Sequence, residues 1–202
     1  MDLVGFALAV LLIELTPGPN MAWLAGLAAT EGRRAGMSAV AGVALGLLVN
    51  GVLAALGLAA LLKAVPQLWS GLQWAGAVMM VFLAIEAWRG SPRKEPRLAQ
   101  DGLHRRAFLT GALINLLNPK AYIFFLVVAP QFLGGEVLSL ANAVTLAVVS
   151  TAIATVIHIA LVLAGARAYA WLSNPRRTVW ARRVFAVIML AVALSFLLAD
   201  IG

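Results

Sequence analysis

The sequence predicts an all-α integral membrane protein of six transmembrane helices, arranged as two inverted three-helix repeats with the first and fourth helices broken. Three observations carry that expectation. Of 202 residues, 63% are hydrophobic and 11% charged, with a mean hydropathy of +0.97. The charges fall between long apolar runs, and Gly/Pro interruptions recur at corresponding places about a hundred residues apart. A soluble domain is about 45–50% apolar and about 25% charged, and roughly 30% of the surface its unfolded chain exposes still faces water after folding. This composition therefore excludes a soluble enzyme, a disordered chain and a nucleic-acid-binding domain. The absence of cysteine excludes a disulfide framework, a thiolate nucleophile and a thiolate metal site.

The runs justify the spans in order. Leu3–Thr30 carries one charge, Glu14. It begins Met1-Asp2 with no basic stretch and is too long for a cleaved signal sequence, so it is expected to stay in the mature protein. Ala35–Leu62 and Ala64–Ile85 carry no charge. Ala107–Gly135 carries only Lys120, and Val137–Ala166 only the neutral-to-basic His158. Val184–Ala199 is uncharged but has 16 residues. A span needs about 20 mostly apolar residues, so five runs suffice by themselves. The sixth reaches about 24 Å at helical rise, and Arg183 and Asp200 are expected to snorkel from its ends.

Thirteen of the 15 basic residues fall in three loops: at Arg33 and Arg34, between Arg89 and Arg106, and between Arg167 and Arg183. Lys63 stands alone on the opposite side, and Lys120 lies within a span. The positive-inside bias places those loops in the cytoplasm and both termini outside. Trp69, Trp88, Trp171 and Trp180 sit near span ends, as interfacial anchors do. The net charge of +7 thus reports orientation rather than a nucleic-acid partner. Glu86, beside Trp88 and Arg89 at the cytoplasmic interface, reads as a solvated or paired surface charge.

The chain reads as one transmembrane domain, 1–202, in halves of about 1–101 and 102–202. Three spans per half make the second half enter the membrane from the other side. Span 1 is interrupted by Thr16-Pro17-Gly18-Pro19-Asn20 and span 4 by Asn118-Pro119-Lys120. Proline within a helix removes a backbone hydrogen bond and clashes one turn back. In lipid such breaks survive only where protein or a water-filled cavity surrounds them. Matching breaks in two halves point to a transporter binding site.

Asn20 and Asn118 are good N-cap residues, and Pro119 suits the first helical position. Two half-helix N-termini with free N–H groups are thus expected at the midplane, where they attract anions. The carbonyl ends of the preceding half-helices suit a cation. A zwitterion matches both, and an α-amino acid is the commonest metabolite of that kind. A charge at the bilayer centre costs about 2.5–3.5 kcal/mol on insertion scales, which marks Glu14 and Lys120 as functional candidates. Glu14 has the options of binding the substrate ammonium or carrying a proton, and Lys120 of binding a carboxylate; a buried structural ion pair between them is the other reading. His158, near Thr151 and Thr155, is either a helix-packing residue or a proton relay. Asn50 and Asn115 are similarly open, with Asn115 favoured because it precedes the break by one turn. Gly42 and Gly46 form a GxxxG that fits a homodimer face or packing inside one protomer. His104 and His158 stand in no metal-ligand spacing, and no enzyme or cofactor motif is present.

These motifs, with Glu31-Gly32-Arg33-Arg34-Ala35-Gly36, Ala121, Phe124-Phe125 and Pro130-Gln131-Phe132, resemble the lysine exporter superfamily. More narrowly, they resemble the homoserine/threonine resistance branch of bacterial amino-acid exporters, over essentially the whole chain. The resemblance implies a multi-pass protein of the bacterial inner membrane that exports amino acids, driven by protons. It assigns functional positions to Pro17, Gly18, Pro19, Asn20, Asn118, Pro119 and Lys120. With Glu14 engaged by Lys120, no acidic group remains for a basic side chain, so a small or neutral amino acid is expected. The alternatives are a non-transporting membrane scaffold or assembly protein, and a small-solute channel.

Overall fold

The computed structural model describes residues 1–16, 18–89, 97–135, 139–171 and 174–198, and their regular structure is helical throughout. Pro17, Arg93, Lys94, Asp200 and Gly202 lie outside the described residues, as do the side chains of Lys63, Arg97 and Trp171. The first apolar run is two helices, α1 (Leu3–Leu15) and α2 (Pro19–Glu31), which meet at 55°. Asp2 caps α1 by accepting from the Gly5 amide. The cap of α2 is Gly18, not Asn20, because Pro19 takes the first helical position and moves Asn20 into the first turn.

The second run holds α3 (Arg33–Ala55) and a short α4 (Leu58–Ala64). Between them Gly57 adopts φ +88°, the left-handed conformation that ends a helix and that glycine takes without penalty. That stop was not foreseen. α5 spans Pro66–Arg89. The fourth run is discontinuous. α6 (Arg97–Leu116) stops before Asn118, and α7 (Pro119–Ile123) continues into a π-helical turn, Phe124–Val128, and a 3₁₀ turn, Ala129–Phe132. Pro130 has no N–H to continue an α-helical ladder there.

α8 (Leu140–Trp171) has 32 residues and is longer than the expected fifth span. α9 (Pro175–Leu197) has 23. It overcomes the shortness of the sixth apolar run by starting upstream, through Arg176, Arg177, Arg182 and Arg183. Arg183 rests over the Trp88 ring at 5.4 Å, so its charge sits on an aromatic face of α5.

Among the described residues four helices are long and apolar enough to cross a membrane, or five spans if the bent α1–α2 pair counts as one. Leu12, Val78, Phe82, Val156 and Val187 are among the large apolar side chains on the outer surface. A protein surrounded by water rarely leaves so much apolar surface in contact with it. This is a membrane protein.

α3 and α8 pack against each other at the centre, α6 lies on α3, α1 and α2 lie on α8, and α5 packs on α9. Glycine sets the closest approach. A Cβ on Gly42 would stand 1.9 Å from the Phe108 carbonyl oxygen, and one on Gly46 2.9 Å from that of Ala112. The GxxxG of α3 is therefore filled by α6 of the same protomer.

Candidate functional site

The last turn of α1 exposes carbonyls that have no intrahelical partner. Lys120, in the first turn of α7, supplies the donor: its Nζ donates to Ile13 O at 3.0 Å and to Thr16 O at 3.3 Å. The negative end of a helix is where an ammonium is most easily kept. Asn118 aims this lysine, since its Oδ1 accepts from the Lys120 amide at 3.1 Å while Pro119 holds the first helical position. The end of α6 is satisfied in a related way. Asn50 of α3 donates to Asn115 O at 3.1 Å, and the Tyr122 hydroxyl donates to Leu116 O at 2.8 Å. Asn20 and Asn115 then join the two breaks directly, Asn20 Nδ2 donating to Asn115 Oδ1 at 2.7 Å.

Among the described residues Glu14 and Lys120 form no direct ion pair. Glu14 instead faces His158, with 3.6 Å between Oε2 and Nε2, and His158 is 1% exposed. That distance allows ionic attraction but is too long for a hydrogen bond. The expectation of two free half-helix N-termini also needs correction. At α7 the proline has no amide hydrogen, the Lys120 amide is capped by Asn118, and the Ala121 amide bonds to Asn118 O. Of the two half-helices, α2 is the one that begins without a side-chain cap.

Thr16, Gly18, Pro19, Asn20, Asn115, Asn118, Lys120, Glu14 and His158 all line one cavity of about 40 Å³. Such a volume admits a few water molecules. Pro119 is buried behind it, and Pro17 lies outside the described residues. Six buried polar atoms here and beside it have no hydrogen-bond partner: Asn20 Oδ1, Asn50 Oδ1, Asn115 Nδ2, Thr151 Oγ1 and both ring nitrogens of His158. Unpaired buried groups cost about 1–3 kcal/mol each, and native interiors keep few of them. Their concentration around one cavity marks a place suited to a polar guest.

Gly18 has an extended backbone open to any residue, with φ −146° and ψ 179°. A Cβ there would lie 3.5 Å from Lys120 Nζ, so the glycine leaves room beside the ammonium. Met21, Ser150, Phe124 and Phe125 complete the walls. Sequence reasoning did not single out Met21, Ser150 or Tyr122. A polar residue facing a break from a neighbouring helix was the available signal, and it was weighed only for Asn50, Asn115 and His158.

The profile of the LysE type translocator family matches residues 11–200. An uncharacterized membrane protein of Pseudomonas aeruginosa is 33% identical over 184 residues, covering 87% of this chain and 85% of its own. The homoserine/homoserine lactone efflux protein of Salmonella typhimurium is 27% identical over 188 residues, 93% of this chain and 91% of its own. The threonine efflux protein of Escherichia coli K12 is 30% identical over 131 residues, 61% and 62% of the two chains. No solved structure matches. The chain belongs to the LysE type translocator family.

Proposed function

We propose that this protein is a secondary active exporter of small or neutral amino acids in the bacterial inner membrane, coupled to protons and binding substrate between its two helix breaks. The observation that carries the reading is the meeting of those breaks, Lys120 of one half reaching the carbonyl end of α1 in the other. Six spans in two inverted repeats account for the packing. With α3 matched to α8, α5 to α9 and α1–α2 to α6–α7, the packing of α6 on α3 has its counterpart in α1 and α2 on α8, which supports the repeat. Named relatives that export homoserine, homoserine lactone or threonine support the substrate class.

A substrate carboxylate is placed at the uncapped start of α2 beside Lys120, and its ammonium at Glu14. The amides of Asn20 and Asn115 then receive polar side-chain atoms. Glu14 is the proton carrier, with His158 its immediate relay partner. A whole amino acid needs more room than the present cavity, so binding requires the two halves to part. That is the motion that alternating access demands. Both termini face the periplasm. Because α6 already fills the α3 GxxxG, any homodimer must use another face.

The test is efflux of L-threonine and L-homoserine from preloaded cells, wild type against Lys120→Ala at equal membrane abundance. Export by the wild type that is lost in the variant supports the reading. A scaffold predicts no export by either protein. A channel predicts downhill flux that ignores the proton gradient.

A further inference from the structure

Two cavities are stacked along the same pair of helices. The central one meets α2 at Asn20 and Met21, and α6 at Asn115. A second, of about 140 Å³, meets α2 from Trp23 to Glu31 and α6 from Leu103 to Thr110. Thr110 and Asn115 are five residues apart, about 7.5 Å along a helix. Trp23 comes three residues after Asn20, is 3% exposed, and lines the second space but not the first. The second cavity opens toward the arginine-rich end of the bundle.

Two ion pairs flank it. Arg106 of α6 meets Glu86 of α5 at 2.9 Å, and Arg182 of α9 meets Glu31 of α2 at 3.1 Å. Each pair takes one residue from either half of the chain. Between them the wall is largely apolar, with Leu83 and Phe185, apart from Thr110 and Thr30, whose hydroxyl donates to Gly26 O. A pair as open as Arg106–Glu86 adds little stability, so stability alone is a weak reason for its place at this cavity. A zwitterion exchanges partners with such a pair and strands no charge: its carboxylate takes the guanidinium and its ammonium takes the acid. The Arg106–Glu86 pair is the more open, with side chains 56% and 35% exposed against 13% and 28% for Arg182 and Glu31.

We infer that the second cavity is a separate binding site for a zwitterionic amino acid, with Arg106 holding the carboxylate, Glu86 the ammonium, and Trp23 closing the way to the central site. This rests on the export reading, which supplies the zwitterion and puts the cavity on the cytoplasmic side. The protein has no cysteine, so single-cysteine variants report cleanly. Thr110→Cys and, at the mouth, Leu103→Cys are labelled with a membrane-impermeant maleimide in inside-out vesicles. L-threonine and L-homoserine serve as probes, and 1-aminopropan-2-ol and 3-hydroxybutyrate as analogues that lack one charge. Labelling is expected to slow about tenfold when an amino acid is present at about ten times its half-protecting concentration. Neither analogue protects. Protection persists with Lys120→Ala and disappears with Glu86→Gln or Arg106→Gln.

The site is overturned if neither cysteine labels, or if protection vanishes with Lys120→Ala yet survives Glu86→Gln. Threonine or homoserine export without protection overturns the second site alone. Absence of both export and protection overturns the export reading and the second site together.

Discussion

Lys120 Nζ lies 3.0 Å from the carbonyl oxygen of Ile13, a residue 107 positions earlier in the chain. One bond thus closes the open end of a broken helix, neutralises part of its dipole and ties the two halves together. An exported carboxylate that draws the ammonium away would release the α1 carbonyls at the same moment. Substrate binding and loosening of the contact between halves are then one event.

Lys120→Ala is expected to lower amino-acid efflux at least about tenfold, the equivalent of about 1.4 kcal/mol of lost interaction. It removes one of two donors from Ile13 O, which still accepts from the Thr16 amide, and the lysine donor from the exposed Thr16 O, at about 1 kcal/mol in stability. Efflux normalised to membrane protein, together with thermal unfolding in detergent, separates the two effects. Unchanged efflux would remove Lys120 from the mechanism.

Glu14→Gln keeps the shape of the side chain and removes its charge and its titration. Concentrative efflux is expected to stop, while exchange of labelled substrate across the membrane continues. Efflux against a gradient at the wild-type rate would exclude Glu14 as the coupling group.

Much of this site was legible because charge and proline are conspicuous in an apolar chain. Glu14, Lys120, His158 and both breaks could be named from the residues, and they line one cavity. Who pairs with whom was not legible. Two lone charges leave a Glu14–Lys120 pair as one reading among several, but helix carbonyls, which leave no mark in a sequence, are the partners of Lys120. The capping of α7 by Asn118 was written in the Asn-Pro pair, whereas Asn20 carries the same residue type two positions too late to cap α2. The end of α3 at Gly57 depends on a left-handed residue in an otherwise unbroken apolar run.

Gly42→Val should be among the most damaging substitutions outside the site. Its Cβ would stand 1.9 Å from a backbone oxygen of α6, which cannot swing aside as a side chain does. Overpacking of this sort costs about 1–3 kcal/mol or more. Gly71→Ala in α5 is the control, since nothing lies within 4 Å of its Cβ, and it should be neutral or slightly stabilising. Equal unfolding temperatures for the two variants would show that the α3–α6 contact is looser than described.

Reporter fusions after Gly202 test the orientation. A periplasmic enzyme reporter is expected to be active there and a cytoplasmic fluorophore dark. The reverse result would invert every span, and would turn the Trp23–Thr110 cavity toward the periplasm.

The last expectation concerns the two breaks. Thr16 and Lys120 touch through a hydrogen bond of 3.3 Å, and Asn20 and Asn115 through one of 2.7 Å, so the segments on either side of Gly18 and Asn118 are neighbours. Each break falls roughly 12–15 residues into its apolar run, or about 18–22 Å at helical rise. In a hydrocarbon core about 30 Å thick, both land near the centre once tilt and interfacial residues are counted. Cysteines at Gly18 and Asn118 should therefore be joined by short bifunctional thiol reagents. The extended backbone of Gly18 accepts a side chain, and a Cβ there would make ordinary contacts, the nearest at 3.5 Å with Lys120 Nζ. Cross-linking should be fast in the resting protein and slower with saturating amino acid, because the guest occupies the space between the two thiols. It should also block transport, since the halves can no longer part. Failure of every short linker, with and without substrate, would mean that the breaks do not share a site, whatever the protein carries.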